Sequence, residues 1–173
     1  MINQKIQDRF NAQLVAETYS AYLYWSMSAY FESLNLKGFA NWMRCQAQEE
    51  MVHAAKFYSF INDRSGRVLL GEIEAPPTDW ESPLAVFQAA YGHEVKVTGL
   101  INGLVDLTIA EKDHAANAFL QWFVTEQVEE EASADEVVGK LKLTADAPSG
   151  LFLLDQELAA RVFVPPPPEG GQA

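Results

Sequence analysis

Thiols are all but missing from this chain of 173 residues: its one cysteine, Cys45, permits neither an intrachain disulfide nor a Cys-x-x-Cys metal site. Long apolar runs are missing too. No stretch approaches the ~18 consecutive apolar residues of a membrane span, and Met1-Ile2-Asn3-Gln4-Lys5 lacks the apolar core of a secretory leader. The expectation is a soluble, cytoplasmic protein without a membrane partner. Basic residues are scarce, 12 against 24 acidic ones, for a net charge of −12. Phosphate recognition needs clustered Lys and Arg, so nucleic acid is excluded as the main partner. An acidic excess suits cations, although by itself it describes only a solvated surface. What remains is ample core material. Hydrophobic residues make up 49% and aromatics 12%, enough for one globular domain.

Four long segments carry helical periodicity, about residues 3–33, 38–64, 83–111 and 115–143, and almost nothing reads as a strand. Residues 34–37 and 112–114 are short links, which make antiparallel neighbours. Residues 65–82 contain Gly66, Gly71, Pro76 and Pro77 and form a long connection. A helix of about 27 residues is about 40 Å long, and about 18 extended residues reach roughly 60 Å. The connection can therefore run the full length of a bundle and start the third helix parallel to the second. The fold class is all-α: two antiparallel hairpins joined by a long crossover. A shorter helical stretch, about 151–162, follows Pro148-Ser149-Gly150, and Pro165 to Pro168 end regular structure.

Marking positions alternately four and three residues apart gives the stripe that each helix turns to the core. These stripes are Phe10, Leu14, Glu17, Ala21, Tyr24, Ser28, Phe31; then Phe39, Met43, Gln46, Glu50, His53, Phe57, Phe60. The second pair comprises Phe87, Ala90, Glu94, Val97, Ile101, Leu104, Thr108, and Leu120, Phe123, Gln127, Glu130, Ala134, Val137, Leu141. Every stripe is interrupted near its middle by Glu, His or Gln. Ionised carboxylates in a core cost several kcal/mol unless partnered, and no stripe supplies Lys or Arg. Two divalent metals would balance Glu17, Glu50, Glu94 and Glu130. The spacing supports one shared site: Glu17 precedes Glu50 by 33 residues and Glu94 precedes Gln127 by the same 33. Residues i and i+3 share a helix face, so Glu50 with His53 can bind one ion, and Gln127 with Glu130 has the same relation. Oxygen donors with one imidazole suit iron, manganese or zinc, and the lack of thiolate argues against a purely structural zinc.

These pieces sit in Ala16-Glu17-Thr18-Tyr19-Ser20, Ala47-Gln48-Glu49-Glu50-Met51-Val52-His53, His93-Glu94, and Phe119-Leu120-Gln121-Trp122-Phe123 leading into Glu126-Gln127-Val128-Glu129-Glu130-Glu131. With them the chain, from residue 3 to about 162, resembles the non-haem ferritins, particularly bacterial ones. The resemblance implies a ferritin-like four-helix bundle with a short fifth C-terminal helix near the four-fold axes of the shell. It divides the chain into a diiron domain, 1–163, and a Pro/Gly-rich tail, 164–173.

Carried over by position, the family's ferroxidase centre places Glu17, Glu50 and His53 around one iron. Glu50 bridges to a second iron held by Glu94 and Glu130, with Gln127 as a hydrogen-bonding neighbour. Glu49, Glu126 and Glu129 match a third iron position. Tyr24 matches the tyrosine beside the centre, an electron donor or hydrogen bonder, and Trp122 is a further candidate donor. The implied activity is oxidation of Fe(II) to Fe(III) by O2 or H2O2, with ferric oxyhydroxide deposited inside a homo-oligomer of 24 subunits.

The chain departs from the bacterioferritins in carrying Gln127-x-x-Glu130 where their fourth helix has a second Glu-x-x-His. Met51 stands in the Glu-Met-x-His context that supplies haem sulfur there, but non-haem ferritins share it and it reads as packing, so haem is not expected. The positions of the acidic three-fold channel of animal ferritins are Asn117 and Leu120 here. A rubrerythrin-like peroxidase would need four cysteines for its rubredoxin module. A Dps-like protein builds its iron site between subunits. A non-metal helical interaction protein leaves the central carboxylates unexplained.

Overall fold

The computed structural model describes residues 1–144 and 148–165. Five helices follow in order: α1 (Gln4–Ser33), α2 (Lys37–Asp63), α3 (Pro83–Ala110), α4 (His114–Leu143) and α5 (Pro148–Leu158). No strand occurs among the described residues, and none of the helices is long and apolar enough to cross a membrane. The expected tail lies outside the described residues from 166 onward.

The starts and stops have local chemical causes. Asn3, Ser82 and Asp113 cap α1, α3 and α4 by accepting hydrogen bonds from Lys5, Ala85 and Ala116 backbone N–H groups. Helices α1, α2 and α3 all end in the same left-handed turn, at Asn35, Ser65 and Lys112, with φ of 58°, 56° and 56°. In each, the N–H two residues beyond the cap reaches back into the last helical turn: Leu36 to Phe31 O, Gly66 to Ile61 O, Asp113 to Thr108 O.

The crossover runs back along α1. Arg67 N–H donates to Gln7 Oε1 (2.9 Å) and Leu69 N–H to Asn11 Oδ1 (2.8 Å). Further on, Ser26 Oγ donates to Pro77 O (2.5 Å) and Tyr30 OH to Trp80 O (2.8 Å). The connection thus spans nearly the whole of α1 and delivers α3 to the end of the bundle where α2 begins.

Two differences from the sequence-based expectation stand out at the C-terminal end. The fifth helix starts at Pro148 and stops at Leu158, earlier than 151–162 at both ends. Proline suits the first helical position because its missing N–H is not needed there. At the other end the Asn41 amide collects the carbonyls of Leu158, Ala159 and Arg161, at 3.3, 3.4 and 2.9 Å, and so replaces the next helical turn.

Helix α5 in turn completes α2. The N-cap of α2, Leu36, has no side-chain acceptor, and the Asp155 carboxylate of α5 takes the N–H groups of Gly38 (2.8 Å) and Phe39 (3.1 Å). The approach is so close that a Cβ on Gly38 would lie 1.6 Å from the Asp155 carbonyl oxygen. Gly38→Ala is therefore expected to push α5 off α2 and cost about 1–3 kcal/mol, the usual penalty of overpacking. Differential scanning calorimetry and limited proteolysis beyond residue 144 would read it; an unchanged melting temperature with intact protease resistance would contradict the contact.

The core divides in two. One apolar cluster holds Tyr24, Met27, Phe31, Phe39, Met43 and Phe87 with Leu154 and Leu158 of α5. The other holds Ile6, Phe10, Phe57, Ile61, Ile101, Leu120 and Phe123. Phe60, placed on the core stripe from sequence, is only half-buried, and Ile61 fills the interior there. Phe60 instead stacks on Phe119 at a centroid distance of 4.2 Å, with the Arg64 guanidinium against its ring.

Met51 is not core packing either: it is 49% exposed and borders an apolar groove with Leu14, Val15, Tyr58, Leu70 and Ile73. Leu120 is fully buried, as its place on the core stripe requires, so it lines no channel.

Candidate metal centre

Between the two apolar clusters lies a layer of buried polar side chains drawn from all four long helices: Glu17, Ser20, Gln46, Glu50, His53, Glu94, Gln127 and Glu130. Their positions follow from the stripe, since a residue at a core position faces inward whatever its polarity. Glu17, Glu50 and His53 each offer a ligand atom, and these atoms lie within 4.8 Å of one another. His53, Glu126 and Glu130 form a second such group, so the imidazole stands between two carboxylate sets. His53 Nδ1 is 3.2 Å from Glu50 Oε2.

Hydrogen bonds fix the rest of the layer. Gln13 Nε2 donates to Glu17 Oε1 (2.9 Å), while Glu17 Oε2 is buried without a partner. Tyr24 OH donates to Glu94 Oε1, a short contact. Gln127 Nε2 donates to Glu94 Oε2 at 3.3 Å and lies equally close to Thr98 Oγ1. Gln46 Nε2 donates to Glu130 Oε2 (2.6 Å). Trp122 places its ring 5.4 Å from that of His53.

Burial dominates the electrostatics of the layer. Burial is the largest cause lifting Glu17, Glu50, Glu94 and Glu130 above the ordinary carboxylate range, Glu130 to about 7. Glu50 is pushed well up, because Glu94, Glu17 and Glu130 all add repulsion to its burial. Glu17 and Glu50 lie close enough for their carboxyls to interact directly, and both are held above the ordinary range. Tyr24 is also driven well up, by burial and then by Glu94, and stays a protonated phenol that can donate.

The residues fit a bound metal cation. Hard oxygen donors with one imidazole match first-row divalent metals, and the orphaned Glu17 oxygen is a buried acceptor that a cation would satisfy.

The three remaining acidic candidates do not form one ligand cluster, although Glu49 and Glu126 wall one cavity with His53. Glu126 reaches His53 and Glu130, and burial raises its carboxyl. Glu49 accepts a hydrogen bond from Arg161 Nη2 at 2.6 Å, and Glu129 is exposed. Gln13, Thr98, the Gln46 amide contact and Arg161 were not picked out as site residues from sequence. Gln46 was visible as a stripe interruption; Arg161 carried no periodic signal.

The ferritin-like domain family matches residues 7–144 of the chain. A bacterial non-heme ferritin of Bacteroides fragilis is 46% identical over 161 residues, covering 93% of this chain and all of the relative. A bacterial non-heme ferritin of Staphylococcus saprophyticus is 39% identical over 163 residues, 94% of this chain and 98% of the relative. Among solved structures, an open-pore ferritin from the hyperthermophilic archaeon Archaeoglobus fulgidus superposes with a TM-score of 0.93 at 52% identity, covering 94% of this chain and all of that one.

Proposed function

The chain belongs to the ferritin family, and from that premise we propose that it oxidises Fe(II) with O2 or H2O2 at the buried carboxylate–histidine layer and stores the ferric product as oxyhydroxide. The carrying observation is four carboxylates, Glu17, Glu50, Glu94 and Glu130, buried at one level with His53 and with a partnerless oxygen on Glu17.

On this reading Glu17, Glu50 and His53 hold one Fe(II). Glu50 bridges to a second, held by Glu94 and Glu130, while Gln127 and Tyr24 orient Glu94. Fe(II) is the substrate; repeated turnover with a finite number of ligands requires that product leave. Carboxylates stabilise Fe(III) over Fe(II) because a hard trivalent ion gains more from anionic oxygen, which favours oxidation. A mixed ligand set leaves positions open for oxidant and for exit. Glu49, Glu126 and Glu129 supply a third, transit position. One subunit cannot enclose a mineral, so storage requires a homo-oligomeric shell, for which the family suggests 24 subunits in the cytoplasm. Domain 1–163 is the functional unit and 164–173 an appendage.

Aerobic loading of the purified protein with Fe(II), followed by light scattering and iron analysis of the particle, tests this directly. The expected particle is shell-sized and gains iron mass without precipitate. Iron that precipitates outside protein of unchanged mass would sink the proposal.

Tyr24 gives a narrower test. Tyr24→Phe removes only the donor to Glu94, so the count of bound ions is expected to hold while oxidation slows about tenfold, the size of one charge-assisted hydrogen bond. Stopped-flow absorbance with anaerobic metal titration separates the two; a lost ion instead would make Tyr24 a part of the binding site.

A further inference from the structure

Arg161 follows α5 and enters the same layer from outside the four-helix stripes. Its guanidinium lies 4.6 Å over the Trp42 ring. Its Nη2 donates to Glu49 Oε2 (2.6 Å) and, in a short contact, to Gln46 Oε1. Its Nη1 is buried with no partner at all. The backbone is held as well, since the Arg161 carbonyl accepts from the Asn41 amide at 2.9 Å. An arginine is a donor only and a carboxylate an acceptor only. Gln46, standing between Arg161 and Glu130, is therefore forced into one orientation: carbonyl toward Arg161, amide toward Glu130, at 2.6 Å. Two residues further on, Phe163 and Val164 close a cavity of about 150 Å3 whose other walls are Glu49, Val52, His53, Trp122 and Glu126. The segment after α5 thus covers the space between Glu49 and Glu126.

We propose that Arg161 is a tethered counter-cation that closes the third iron position. It neutralises Glu49 in the iron-free subunit and must release Glu49 before a third ion can bind there. A guanidinium and a metal ion cannot both claim one carboxylate oxygen at short range without strong repulsion between them. The position therefore opens only by displacement, and the residues after α5 set its occupancy. This inference rests on the iron positions proposed above.

The test is anaerobic titration of the assembled protein with Co(II), with bound ions counted by equilibrium dialysis, for the wild type and for Arg161→Met. Methionine keeps an apolar stem against Trp42 and removes the charge. The expected wild type binds two ions tightly and a third weakly. In R161M the tight pair persists and the third ion binds at least about tenfold more tightly, the effect of removing one competing charge-assisted hydrogen bond. Adding Glu49→Gln to R161M is expected to abolish that gain.

Equal third-ion affinity in R161M and wild type would overturn the role assigned to Arg161 while leaving the ion pair intact. Loss of the tight pair in R161M alone would make Arg161 a structural support and overturn it too. Absence of a tight pair in the wild type would overturn the proposed function itself. Should R161M fail to assemble, wild-type crystals soaked in Co(II) decide the matter by anomalous scattering. An ion on Glu49 with the guanidinium swung away agrees with the proposal; an ion on Glu49 with Arg161 still bound to it contradicts the proposal.

Discussion

Glu50→Ala is expected to slow the initial oxidation of Fe(II) by roughly 100-fold, equivalent to ~2.7 kcal/mol of barrier. Glu50 is the carboxylate in the middle: its Oε2 lies 3.2 Å from His53 Nδ1, and its carboxyl feels Glu94, Glu17 and Glu130 together. Removing it takes one ligand from each side of the proposed pair, so both ions lose affinity and the group that sets their separation is gone. His53→Ala removes a ligand from one side only, and a smaller but still large loss is expected.

A control is needed for indirect damage. Asp106→Ala serves for folding and shell assembly, because the residue is exposed and outside both ligand clusters. Initial rates come from stopped-flow absorbance at fixed Fe(II) per subunit, with light scattering to show that each variant assembles. Unchanged initial kinetics in both E50A and H53A would overturn the site assignment.

The layer that this experiment probes was legible because helix periodicity does not depend on residue polarity. Glu17, Glu50, Glu94 and Glu130 occupy stripe positions otherwise filled by Leu and Phe, and the interior is where they lie. Periodicity fails only where a helix end gives the chain a choice of neighbouring positions. Phe60 and Ile61 are such a pair at the end of α2, and the aliphatic residue took the interior while the ring found an aromatic partner at the edge. The crossover was legible from length alone; which side chains hold it was not, since Gln7, Asn11 and Tyr30 read as ordinary helix residues.

Hardest to see were contacts between segments more than a hundred residues apart. Asp155 capping α2 and Arg161 pairing with Glu49 leave no periodic trace, because each depends on where α5 docks. A stretch expected to be helical as far as 162 hides both: as continued helix, Arg161 would take its direction from the helix rather than from the Asn41 amide that collects the carbonyls there. From sequence alone the proposed third iron position rests on three acidic residues, and the cation bound to one of them leaves no sign.

Without metal, Glu130→Gln is expected to be more stable than the wild type by roughly 3 kcal/mol at about pH 8 and by only about 1 kcal/mol at about pH 5. Burial first, and then Glu94, raise the Glu130 carboxyl to about 7, against 4.5 for an unperturbed glutamate. The folded chain therefore keeps a proton that the unfolded chain releases. Below the unfolded value both states are protonated and no penalty exists; as pH rises through the folded value, the advantage of the protonated group is lost. Metal-free stability thus falls with rising pH on account of Glu130, and Glu50, raised well above the ordinary range, acts in the same direction.

His93 acts oppositely at lower pH, since burial holds it near 4. Its neutral folded form gains stability as pH rises toward about 6.5. That is why the glutamine variant is the reference: His93 titrates in both proteins and cancels. A divalent cation should reverse the sign, because it binds the ionised carboxylates of the folded state and stabilises by mass action. Saturating Co(II) is expected to raise the wild-type melting temperature more at pH 8 than at pH 5, and to raise that of E130Q less. Calorimetry of the shell at constant protein concentration measures both. A wild type that gains on E130Q between pH 5 and pH 8 without metal would mean that Glu130 is ionised and partnered in the empty protein, and the layer would then need no cation.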